Sequence, residues 1–159
     1  MRNFLLPIIT VLFMLGCTAS DKSSTPKKSI YQNYIETNKL ESLDKISSFR
    51  FHGWRSLDNK TLIISTRINK PYLVQLKNYC SELRFAHTIL VNSSGSTLTT
   101  KFDSIQVLNS GTPKHHREKC YIKNLYKLTK EQADEISSLN KQSKDKAKKE
   151  KESNGREQS

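Results

Sequence analysis

The chain has 159 residues, with 27 Lys and Arg against 15 Asp and Glu, a formal net charge of +12 and a pI near 9.7. A length of this order is sized for one domain with a core of its own, and no internal repeat is present. Three cysteines and four histidines lack zinc-finger spacing, and there is no phosphate cradle and no nucleophile elbow, so those motif-defined classes are excluded.

Arg2 makes a positive start, and Phe4–Gly16 is an apolar run broken only by Pro7 and Thr10. These 13 residues are fewer than the roughly 20 a helix needs to cross a bilayer core. A positive start before a short apolar run is the secretory pattern, so residues 1–16 are expected to be a signal peptide. The run stops at MLGC, which resembles the lipobox of bacterial lipoproteins. That resemblance implies that Cys17 carries diacylglycerol, that the peptide is cut just before it, and that the new amino end is acylated as well, for instance with palmitate. Thr18, where inner-membrane lipoproteins often carry Asp, implies the outer membrane, periplasmic side. Ordinary cleavage after Cys17-Thr18-Ala19 is the rival reading. Loss of residues 1–16 removes only Arg2, leaving 26 basic against 15 acidic residues, or +11. Export removes nucleic acid from the partners of that charge and leaves anionic head groups and cell-wall polymer, where each basic residue contributes about 1 kcal/mol.

Residues 17–29 are polar and hold Pro26, which reads as a lipidated cysteine and a flexible tether. Ser29 and Gln32 have capping-box spacing at a helix start, with Tyr31, Tyr34 and Ile35 on one face. Leu40, Leu43 and Ile46 continue at a spacing of three, as for a further turn of helix. From Phe49 the period becomes two, and strands are expected at FRFH, TLIIST, YLVQL, LRFAHTILV, TLTTKF, SIQVL and CYIKNLYKL, with NSSGST a hairpin loop. Strands this close in sequence pair as antiparallel neighbours. Thr129 and Gln132 repeat the capping box before a closing helix with a thin stripe of Ala133, Ile136 and Leu139. Residues 141–159 hold one apolar residue, Ala147, and carry 7 basic and 4 acidic residues, which predicts a basic disordered tail or a solvated extension of the helix.

With Cys17 used for lipid, Cys80 and Cys120 form an even pair in an oxidising compartment, and a disulfide between them is expected. They lack the CxxC spacing of a thiol redox centre. His115 and His116 could ligate zinc or copper, but no third ligand has the right spacing, so a solvated loop is the preferred reading and no metal or cofactor is implied. Trp54 is weighed as a stacking surface against a core residue, with the core preferred. Asp103 could act as a general base with His87 if the two meet in space; an Asp closing a strand is more commonly a turn former.

In order, FRFHGWRSLD, PYLVQLKNYCSELRFA, TTKFDSIQVL and CYIKNL resemble a family of small proteobacterial lipoproteins catalogued as a domain of unknown function. Its pattern falls here on Phe49, Phe51, Trp54, Leu57, Tyr72, Leu73, Cys80, Leu83, Phe85, Ala86, Phe102, Asp103, Cys120 and Ile122. Where members often continue with a basic-proline-acidic turn, this chain has Tyr126, Lys127, Leu128 and Thr129. The resemblance implies the lipid anchor and the paired cysteines, and it supplies no activity.

The sequence thus predicts an α+β domain over residues 30–140: a small antiparallel sheet of about five to seven strands, meander or half-barrel, with an N-terminal helical segment and a C-terminal helix. The leading functional expectation is a lipid-anchored, non-enzymatic binding or accessory module facing the periplasm, whose partner is an envelope protein or anionic cell-wall polymer. The alternatives are a periplasmic hydrolase or metal-dependent enzyme using His87 and Asp103, and a structural envelope protein whose basic tail contacts the cell wall. Trp54, His87 and Asp103 are the candidate ligand-surface residues.

Overall fold

A computed structural model describes residues 28–108 and 117–156. The expected signal peptide, Cys17, the expected tether as far as Lys27, and His115 and His116 lie outside the described residues. The protein is α+β, a curled antiparallel sheet forming a half-barrel with a short helix before it and a long one after it.

Helix α1, Ile30–Thr37, starts where the capping signal predicts, the Ser29 hydroxyl accepting from the Gln32 N–H at 3.2 Å. Only half of the box forms, because the Gln32 side chain donates to Glu36 and accepts from Gln75 across the sheet. The further helical turn expected at Leu40–Ile46 is absent. Two short strands replace it, β1, Ser42–Leu43, and β2, Lys45–Ile46. A spacing of three cannot distinguish a helical turn from two strand fragments whose partners lie far away in sequence.

The remaining strands are β3, Gly53–Ser56; β4, Thr61–Ser65; β5, Pro71–Leu76; β6, Ile89–Asn92; β7, Leu98–Thr99; β8, Ser104–Val107; and β9, Cys120–Lys127. FRFH is therefore not the first strand: pairing begins at His52, whose N–H reaches the Ser65 carbonyl, and runs on through β3. LRFAHTILV is likewise divided, Leu83–Phe85 forming a 3-10 turn before β6. The strand order is β3-β4-β5-β9-β8-β6, with β1 on the flank of β9 away from β5, while β2 and β7 pair apart from the main sheet. The last strand is thus central, inserted between β5 and β8.

Two apolar clusters cover the two faces. The inner one joins Leu62, Ile64, Val74, Leu76, Ile105 and Ile122 to Leu83, Leu98 and the two cysteines. The outer one joins Ile63, Leu73 and Tyr126 to Tyr31, Tyr34 and Ile35 of α1 and to Ala133 and Ile136 of the closing helix. A shift of register opposite Gln75 and Leu76 leaves an extra residue, Lys123, in β9. This bulge puts Ile122 and Leu125 on the same face despite their odd spacing, and Tyr126 on the other.

Helix α2, Lys130–Arg156, begins with a complete capping box: the Thr129 hydroxyl accepts from the Gln132 N–H at 3.2 Å, and the Gln132 side-chain Oε1 accepts from the Thr129 N–H at 2.9 Å. Of the two readings of the segment from residue 141, a disordered tail or a solvated extension of the helix, the structure has the second, helical as far as Arg156. The segment has nothing with which to build a core, but Lys, Glu, Ala and Gln are strong helix formers, and Asp145 and Lys149 stand at the favourable four-residue spacing.

Candidate functional site

Cys80 and Cys120 form a disulfide with Cα atoms 5.8 Å apart, both side chains buried. It ties the segment after β5 to the start of β9. Glu118 lies close by, its carboxylate within 4.8 Å of both sulfurs, and accepts from the Ser81 hydroxyl and N–H. Both sulfurs are consumed by their own bond, so this cluster offers a cation one carboxylate and no thiolate.

Asp103 is 4% exposed at the turn from β7 to β8. One carboxylate oxygen accepts from the Thr99 N–H at 2.6 Å and the other from the Ser94 hydroxyl at 3.2 Å, while its carbonyl accepts from the Ile122 N–H at 3.0 Å. One residue thereby holds the β6–β7 loop, its own turn and β9. The turn itself is tight, with Lys101 at φ +70° and Gly95 of the preceding hairpin at φ +64°. His87 sits exposed at a bend between the 3-10 turn and β6. The Asp103 carboxylate is engaged by Ser94 and Thr99, not by His87.

Trp54 lies opposite Ile64 in the β3–β4 ladder, so its indole shares the inner face and packs against the inner cluster. Arg55, the next residue, points to the other face. There its guanidinium donates to the Ser137 hydroxyl of α2 at 2.6 Å, and that hydroxyl donates onward to the Ala133 carbonyl at 2.7 Å. This bond helps fix the edge strand against the helix and leaves a cleft of about 300 Å³ between them, lined by Arg55, Ile63, Ser65, Pro71, Lys130 and Asp134 among others. Two cations and one carboxylate face it. Such a lining can hold a charged group in place, and among its described residues no nucleophile is paired with a base.

Beside the cleft, and sharing His52 and Ile68 with it, lies an open basin of about 620 Å³ formed by Arg50–His52 and the β4–β5 turn Thr66–Lys70. Trp54, a candidate from the sequence, lines the cleft as well, whereas Arg55 and the basin were not foreseen. Arg55 was hidden because nothing local says where α2 docks. Ile68 did carry a signal: it is a large apolar residue in the middle of a polar turn, RINKP.

Among the described residues no helix is long and apolar enough to cross a membrane. A profile of a family of unknown function (DUF6491) matches residues 1–151, and the chain belongs to that family. Neither a curated protein nor a solved structure gives a match.

Proposed function

We propose that this protein is a lipid-anchored envelope protein facing the periplasm from the outer membrane, and that its domain is a non-enzymatic binding module. The observation that carries the anchor is the apolar run ending at MLGC, followed by a polar segment and then, at Ser29, by the cap of the first helix of the domain. Anchoring at Cys17 holds the domain within reach of one membrane without a spanning helix. Two acyl chains or more make such attachment stable, at about 0.8 kcal/mol per buried methylene.

The site's geometry supports binding rather than catalysis. Asp103, the candidate base, is nearly buried and spends its carboxylate on Thr99 and Ser94, so withdrawing a proton from a substrate would cost the fold a turn. The charged cleft beside Arg55 and Lys130 suits a partner's acidic side chain or an anionic polymer unit.

Cells fed a labelled palmitate should incorporate it into the wild-type protein and not into Cys17→Ser, and the variant should move from the membrane to the soluble periplasmic fraction. Equal labelling, or unchanged fractionation, sinks the anchor. Crosslinking in intact cells then tests the module: one protein recovered reproducibly with the anchored form supports it, and loss of that crosslink in Arg55→Glu assigns the cleft.

A further inference from the structure

We infer that the basin formed by Arg50–His52 and the β4–β5 turn is a docking face for an anionic lipid surface. Ile68, at the tip of that turn, is 80% exposed, and Phe51 beside it is 44% exposed. Both line the basin and neither belongs to the inner or outer cluster, so the domain gains no core packing from them. Around them stand Arg50, Arg67 and Lys70, with no acidic residue among the described residues of the lining. The side chains of these three cations make no hydrogen bond or ion pair to another described residue.

An apolar centre within a cationic ring matches the boundary between head groups and acyl chains, where apolar side chains are buried while Lys and Arg meet phosphate. A soluble anionic polymer would satisfy the cations and leave Ile68 in water. The occupant that accounts for both halves of the surface is anionic lipid.

The tether permits this orientation. Ser29 lies near Asp58, Lys60 and Thr61, at the end of β4 opposite the Thr66–Lys70 turn. A strand of five residues spans about 17 Å, whereas the segment from Cys17 to Lys28 can reach roughly 35 Å when extended. A domain anchored at Cys17 can therefore lay this basin on the membrane that holds it. Only that last step rests on the lipid-anchored reading; the docking chemistry does not.

The test uses the chain from residue 17 with Cys17→Ser, which keeps every residue of both clusters. It should cosediment with vesicles containing phosphatidylglycerol and not with pure phosphatidylcholine. Ile68→Ser leaves the net charge unchanged and should lower the partition coefficient by roughly tenfold, the loss of one buried aliphatic side chain. Phe51→Ser should weaken binding in the same direction. Phe85→Ser removes a phenyl that is 73% exposed near the far end of β4, where the neighbouring Arg84 N–H donates to Asn59, and should bind as the parent does. An unchanged melting temperature would show that Ile68→Ser remains folded.

The inference is overturned if the parent ignores anionic vesicles, if Ile68→Ser binds equally well, which would assign binding to charge alone, or if Phe85→Ser loses as much. Failure here with Cys17 still labelled by palmitate removes the docking face and leaves the anchor. Failure of labelling with vesicle binding intact does the reverse.

Discussion

Asp103 shows how one buried carboxylate can serve a fold rather than a reaction. Its two side-chain bonds and its carbonyl gather three segments, and a charged acceptor is worth more in such a place than a neutral one. Asp103→Ala should lower the unfolding free energy by about 2–3 kcal/mol in urea titration, and Asp103→Asn should lose less because it keeps an acceptor. A catalytic base would behave otherwise, with both substitutions leaving stability almost unchanged. The aspartate was visible in the sequence and weighed as a turn former. Which donors it would meet was not, since Ser94 and Thr99 reach it only through the hairpin between them.

At the scale of elements, α1 and α2 are held over the outer face by paired tyrosines. The Tyr31 hydroxyl donates to the Asn140 side-chain carbonyl at 3.0 Å, and the Tyr34 hydroxyl donates to the Glu135 carboxylate at 2.7 Å. Burial raises the pKa of both phenols above the ordinary value of 10.0; the Asp58 carboxylate adds to this for Tyr31, against Arg84, and the bond to Glu135 adds to it for Tyr34. Because the folded values are the higher ones, the unfolded chain releases these protons first. Their contribution to stability is therefore complete below about pH 10 and is lost as pH rises towards the folded values. The melting temperature should fall more steeply above pH 10 in the wild type than in a Tyr31→Phe, Tyr34→Phe double variant, which leaves lysine deprotonation common to both. Parallel slopes would show that the phenols do not couple the helices to pH. Both helix starts were legible from Ser29, Gln32, Thr129 and Gln132, because a cap is made by residues three apart. Their meeting was not, since it pairs residues about a hundred positions apart.

Across the whole molecule, the disulfide links residues 40 apart and both its sulfurs lie in the inner cluster, so it closes the sheet from within. Replacing both cysteines by serine should cost about 4 kcal/mol by the chain-entropy account. The urea midpoint of that variant should match that of the reduced wild type; a variant as stable as the oxidised protein would mean that the core alone sets the curvature. The central place of β9 makes the same closure topological. The sheet is completed only when the final strand inserts between β5 and β8, and the pairings of β9 with β5 and β1 span long stretches of chain, so the domain should fold slowly for its size.

Sequence by itself determined the class of fold, the two helix starts, most of the strands and the pairing of two cysteines once Cys17 is set aside. These depend on period, on cap spacing and on an even count, all of which are local or arithmetic. Tertiary structure alone decided that the last strand is central, that Lys123 bulges so that Ile122 and Leu125 share a face, and that Arg55 meets Ser137. It also decided that Phe51, from the segment before β3, and Ile68, from the β4–β5 turn, stand together in the open. Alternation along one strand records which residues share a side, but not what the other strands bring to that side, and it is there that surface and core are separated.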